Sequence, residues 1–144
     1  MGLFRKRSAA SPSAEGGWTI AQGEESGRPA FVRFNDVGVA TRTSFPVRLG
    51  VAVPLVEPRP DGLPGAADFA ALGEIEDALE SGLAERGVLV LVITTDGMRE
   101  FVSYVENEEI AAAALSAARA ATSTHVCQSY TELEIGRASC RERV

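Results

Sequence analysis

Val47, Leu49, Val51, Val53 and Leu55 recur at strict two-residue spacing. Side chains alternate across a strand, so this spacing sets five apolar groups on one face of a strand. Pro46, Arg48, Gly50, Ala52 and Pro54 occupy the other. Further on the period changes. Phe69, Leu72, Ile75, Leu79 and Leu83 recur at three- and four-residue intervals, the buried stripe of an amphipathic helix over Ala67–Arg86. Asp68 suits its first turn electrostatically, Arg86 its last, and Gly87 is placed to terminate it. Gly73 and Gly82 each cost such a helix up to about 1 kcal/mol, so packing must hold it. A helical stripe of this kind needs an apolar sheet face, and Val47–Leu55 offers one.

The remaining elements follow from similar signals. Val88–Thr94 reads as a buried strand and Glu100–Val105 as another. Asp96-Gly97 between them tolerates the positive φ of a type I′ hairpin turn. That turn sets Thr94 opposite Arg99, Val92 opposite Phe101, Leu91 opposite Val102 and Leu89 opposite Tyr104. One hairpin face then carries Val88, Val90, Val92, Phe101 and Val105; the other carries Leu89, Leu91, Ile93, Val102 and Tyr104. Asn107 is a good cap for a second helix, with Glu108 and Glu109 in its first turn, running to about Ala121. His125–Thr131 reads as a last strand. Upstream, Trp18–Gln22 and Ala30–Phe34 alternate around the turn-forming residues Gly23–Pro29 and read as a hairpin. Asp61-Gly62-Leu63-Pro64 is a rigid turn feeding the first helix, or a ligand loop.

The element order is a hairpin, then β-α-β-β-α-β. It predicts an α+β fold: a ferredoxin-like antiparallel sheet with two helices on one face, preceded by an N-terminal β-hairpin. Both faces of the central hairpin are apolar, yet one helical layer covers only one of them. Something must shield the second: the N-terminal hairpin, a second copy of the chain, or chain beyond Leu133.

The chain has 144 residues, 45% hydrophobic and 24% charged, which suits one domain. No apolar run approaches the roughly 18–20 residues of a membrane helix. Residues 1–16 read as a disordered polar leader. They lack the apolar stretch of a signal peptide, and Lys6 stands where myristoylation wants Ser or Thr. Residues 17–133 read as the single domain. The ending IGRASCRERV, Ile135–Val144, matches the translation of a sequencing adapter through to its stop codon. Residues 134–144 are therefore expected to be a non-native tail and the domain to be truncated at its C-terminus. Removing Arg137, Arg141, Arg143 and Glu142 (three positive charges, one negative) takes the net charge from −6 to −8. Cys140 also goes, leaving Cys127 alone. An acidic chain whose one basic cluster is Arg5-Lys6-Arg7 is not expected to bind nucleic acid. The cysteine count suits a reducing, cytoplasmic setting, and the Arg-over-Lys, Ala-rich usage a GC-rich bacterial genome.

Trp18, Asp61-Gly62-Leu63-Pro64 and the run Thr94-Thr95-Asp96-Gly97-Met98-Arg99-Glu100-Phe101-Val102-Ser103-Tyr104 occur in that order. In this the chain resembles, from about Gly17 to Leu133, a bacterial family catalogued as domain of unknown function 695. The resemblance implies no activity. Some relatives carry a second domain similar to a regulator of ribonuclease E, which implies a regulatory or binding role.

Little in the chain promises chemistry. His125 and Cys127, two residues apart, would share a strand face. They are the candidate reactive pair, against the alternative of simple packing, since an unpaired cysteine is usually buried. No phosphate loop, nucleophile elbow or zinc-protease helix occurs, and no cofactor or metal site is expected. Glu76 and Glu80 read as a solvated helix face. Trp18, Arg99, Phe101 and Tyr104 form the expected contact surface, because Trp, Tyr and Arg dominate binding hot spots. Their alternative is to frame the sheet. The leading function is a non-catalytic protein-interaction or regulatory module. Its partner is a protein, a basic one suiting the acidic surface, or a second copy of the chain. The alternative is a small-ligand sensor with a pocket near Arg99; the third reading is a Cys/His-dependent enzyme.

Overall fold

The computed structural model describes residues 5–6, 17–36 and 44–133. The rest of the leader and the tail 134–144 lie outside the described residues. The elements are β1 (Arg5–Lys6), β2 (Trp18–Glu25), β3 (Arg28–Asn35), β4 (Val47–Pro54), α1 (Ala66–Leu83), β5 (Gly87–Thr95), β6 (Met98–Val105), α2 (Glu108–Ala120) and β7 (Gln128–Leu133). They form one sheet in the order β1-β2-β3-β5-β6-β4-β7, antiparallel at every pairing. The class is thus mixed α+β, with two helices and an open antiparallel sheet. A four-stranded ferredoxin-like sheet is not the whole of it. The N-terminal hairpin, β2–β3, pairs edge-on with β5 and widens the sheet instead of covering a face.

Turn chemistry fixes the hairpins. Asp96 and Gly97 sit at φ +51° and +81°, and Ser26 and Gly27 at φ +55° and +84°. Both pairs take the positive φ that a two-residue hairpin demands. Only the first was legible, because Gly23–Pro29 offers turn residues throughout, and β2 and β3 run further than expected. Asn107 caps α2, its Oδ1 accepting from the Ile110 N–H at 2.9 Å. α1 ends at Ala84, φ +52°, before Gly87 is reached. Gly87 instead opens β5, where a Cβ would lie 2.9 Å from both Leu83 and Val105 side chains.

The main core lies between the sheet and the helices. Val47, Leu49, Val51 and Val53 meet Leu89, Val92, Phe101 and Val105, under Leu72, Ile75, Leu79 and Leu83 of α1 and the alanines of α2. β4 pairs with β6 in the expected sheet, and both helices pack on this one face. Gly82 explains itself here: a Cβ on it would stand 2.8 Å from the Ala114 Cα, so it lets the two helices touch.

Two expectations fail at single residues. Phe69 is 56% exposed, and the fully buried place in the stripe belongs to Asp68. Spacings of four, three, four and four from Asp68 to Leu83 hold the helical phase, and Phe69 is rotated off it. In the central hairpin a bulge between Leu89 and Leu91 sets Leu89 opposite Ser103 and Val88 opposite Tyr104. An extra residue in one strand flips the side chains beyond it. Leu89 therefore joins the main core, while Val88 and Val90 join Leu91, Val102, Tyr104 and Phe45 in a smaller cluster on the other face. On that face the Tyr130 ring also lies against Gly50, where no Cβ would fit.

Candidate functional site

Two places combine charge with burial. The first is built on Asp68, at the start of α1. Its Oδ1 and Oδ2 accept from the N–H groups of Val56 and Glu57, each at 2.9 Å. His125 Nε2 lies 2.6 Å from Oδ1, and His125 Nδ1 lies 2.8 Å from the Thr124 hydroxyl. The His125 side chain is almost wholly buried. Carboxylate, imidazole and hydroxyl stand in series, the order that activates a hydroxyl in hydrolases. Here, however, each member is held by the chain itself. Asp68 closes the loop after β4 onto α1, and His125 ties in the run that leads to β7. The signal for this was a carboxylate in the apolar phase of a helix, four residues before Leu72.

The reactive pair expected of His125 and Cys127 does not form. They precede β7 and are not part of a strand, and both imidazole nitrogens engage Thr124 and Asp68. Cys127 is a free, buried thiol whose pKa is raised by burial, against the opposing pull of Arg119. Burial of this kind disfavours the thiolate, the form in which a cysteine reacts. Among the described residues no group of three or more His, Cys, Asp or Glu side chains is placed to hold a metal, and no helix is long and apolar enough to cross a membrane.

The second place follows from the width of the sheet. α1 packs chiefly on β5 and α2 on β4, β6 and β7, so the helices sit mainly over the β4–β7 part of the sheet. The registers put Trp18 and Ile20 of β2, and Phe31 and Arg33 of β3, on the helix side. Ile20 is 37% exposed and Phe31 36%, although their neighbours Ala21, Ala30 and Val32, facing the other way, are buried. One flank of α1 faces this strip. Glu76 grips Arg33 in a two-point ion pair at 2.7 and 3.3 Å. Phe69, Gly73 and Glu80 share the Glu76 flank by helical spacing. A Cβ on Gly73 would meet nothing within 4 Å. Helix flank and strand floor meet in an angle bridged by the Arg33–Glu76 pair, a shallow trough with exposed Ile20 and Phe31 on the strands and exposed Phe69 on the helix. The Arg33 guanidinium stands 5.0 Å from the Trp18 ring centroid.

Arg99 lies on the same face of the sheet, across Thr94 from Phe31. Its Nε donates to Thr94 Oγ1 at 2.8 Å. Burial lowers its pKa, the neighbouring Arg33 lowers it further, and Glu76 opposes both. Of the expected contact residues, then, Trp18 and Arg99 share the helix side of the sheet and are both half-buried, but they stand three strands apart, Trp18 against Arg33 and Arg99 beside Thr94. Phe101 is fully buried in the main core, and Tyr104 is buried on the opposite face. Neither lines an accessible surface. Glu76 is no solvated helix residue, because the widened sheet carries Arg33 to it. Asp61–Pro64 is a clip. Asp61 Oδ1 accepts from the Leu63 N–H, and the Gly62 carbonyl, at φ +88°, accepts from the Gly97 N–H.

A family model described as a family of unknown function (DUF695) matches residues 16–134. Searches of curated proteins and of solved structures returned no match.

Proposed function

The chain belongs to the family of unknown function DUF695, whose description assigns no activity, and from the geometry we propose that it is a non-catalytic protein-interaction module that docks a partner segment in the trough between α1 and the β2–β3 hairpin. The carrying observation is the exposure of Ile20 and Phe31 on the helix side of the sheet and of Phe69 on α1, beside the Trp18–Arg33 contact. Aromatic and arginine side chains beside apolar anchors are what binding hot spots use. A single exposed apolar residue means little, but three bordering one trough support an interaction surface. On this reading the β4-to-β7 block is a ferredoxin-like core, supported by its antiparallel order β5-β6-β4-β7, and the added hairpin is the trough's second wall. A reducing bacterial cytoplasm is the proposed setting, supported by the buried free thiol of Cys127.

Gly73 supplies the test. Gly73→Met puts a side chain at the mouth of the trough while improving helix propensity, so the variant is expected to fold at least as well as the parent. Affinity capture from host lysate with the parent, with Gly73→Met and with Phe31→Asp is expected to lose the same bound species in both variants. A control, Tyr130→Asp, on the far face, keeps it. Retention of every captured species by a folded Gly73→Met sinks the docking reading.

A further inference from the structure

The chemistry of the trough goes further than its shape. Three ionised groups stand near one another on this face: Arg33 and Glu76 as a pair, and Arg99 across Thr94 from Phe31. Glu76 spends both oxygens on Arg33. Among the described residues Arg99 has no carboxylate within ion-pair distance; its one side-chain partner is the Thr94 hydroxyl, which fixes Nε. The cluster is one carboxylate short, in a chain of net charge −6. A half-buried guanidinium is costly to leave without a counter-charge, and its planar fork matches a carboxylate through two parallel N–H donors. Phe31 adjoins Thr94 across the β3–β5 pairing, so an anion at Arg99 would have an apolar floor beside it.

We infer that Arg99 is a carboxylate receptor, and that the segment docked in the trough presents a carboxylate next to an apolar side chain. The inference rests on the docking reading and adds the chemical identity of the group recognised. The partner segment is a protein segment, its carboxylate being either a C-terminus or an Asp or Glu side chain. Thr94 positions the fork by holding Nε, and Arg33, kept occupied by Glu76, does not compete for the anion. The basic partner suggested by overall charge is not required at this place.

The probes are acetyl-phenylalanine, acetyl-aspartyl-phenylalanine amide and acetyl-phenylalanine amide, titrated against the full chain and read by the shifts of the Thr94 and Arg99 backbone amides in nuclear magnetic resonance spectra. Each acid is expected to give a saturable change, with affinity of order millimolar, and the neutral amide to bind about tenfold more weakly. Which acid binds better tells a C-terminal from a side-chain carboxylate. Arg99→Gln is expected to remove the advantage of the acids while leaving the amide unchanged. Arg99→Lys, which keeps the charge and loses the fork, falls between. Equal binding of acid and amide to the parent, or an acid preference that survives in Arg99→Gln, overturns the receptor and leaves trough docking standing. No response to any probe also overturns the receptor, and if Gly73→Met retains its captured species the docking reading falls with it.

Discussion

Asp68 has no solvent contact, yet its carboxyl lies below the ordinary carboxylate value. Burial alone pushes it up. The hydrogen bond with His125 leads the effects that outweigh burial, followed by the N–H donors of Val56 and Glu57 and the electrostatic attraction of His125. A folded-state pKa below the unfolded one adds stability that is complete above the unfolded value of about 4. It is lost as the pH falls through the depressed folded value. Asp68→Asn is expected to cost roughly 2–4 kcal/mol near neutral pH, because buried N–H groups lose a charged acceptor and His125 loses its partner. Urea unfolding of parent and variant should show the gap narrowing as the pH drops below the ordinary carboxylate range; a gap that does not change with pH contradicts the assignment. Ser103 is the opposite case. It is fully buried opposite Leu89, with no hydrogen-bond partner for Oγ among the described residues. Ser103→Ala should raise stability by about 1 kcal/mol by removing an unsatisfied hydroxyl, and a clear loss in the same unfolding measurement would show that the hydroxyl is satisfied.

α1 carries two glycines whose reasons differ, and substitution tells them apart. Gly82→Ala drives a methyl into Ala114 of α2 and should cost roughly 1–3 kcal/mol. Gly73→Ala meets open space and should gain about 0.5–1 kcal/mol from helix propensity. Thermal unfolding of the two variants side by side checks both signs. On the far face, Gly50→Ala should expel the Tyr130 ring from β4. Tyr130 donates to Glu100 at 2.6 Å, and burial, then Glu100, pushes its phenol up to about 12. Expulsion is read as a return of the phenol towards its ordinary pKa in an alkaline ultraviolet titration; an unshifted titration argues that the strand moves instead. At this scale much was legible. The alternation of Val47–Val53, the Asp96-Gly97 turn and the Asn107 cap are local signals, and each element stands where its signal lay. The bulge at Leu89–Leu91 was not legible, since an unbroken apolar run reads equally well in either phase. Gly73 and Gly82 look alike in sequence because the contact that separates them comes from another helix.

At the scale of the molecule, the sheet is wider than its helical layer. That mismatch generates the trough, and it depends on β3 pairing with β5, between strands far apart in the chain. Strand and helix signals could not reveal it, and Trp18 and Arg99 were candidates for contact by residue type alone. Phe101 and Tyr104, chosen by the same criterion, are buried on opposite faces. Phe31 and Phe69 were read as an ordinary strand residue and a core residue. Their exposure appears only once the hairpin extends the edge and Asp68 takes the buried phase of α1. The claim that this trough is where the chain meets its partner is tested most directly by photo-crosslinking in the host cell. A photoreactive phenylalanine analogue at Phe31 or Phe69 should yield one shared, discrete crosslinked product, and the same group at Tyr130 should not. Products that form at Tyr130 and are absent at Phe31 and Phe69 would contradict it.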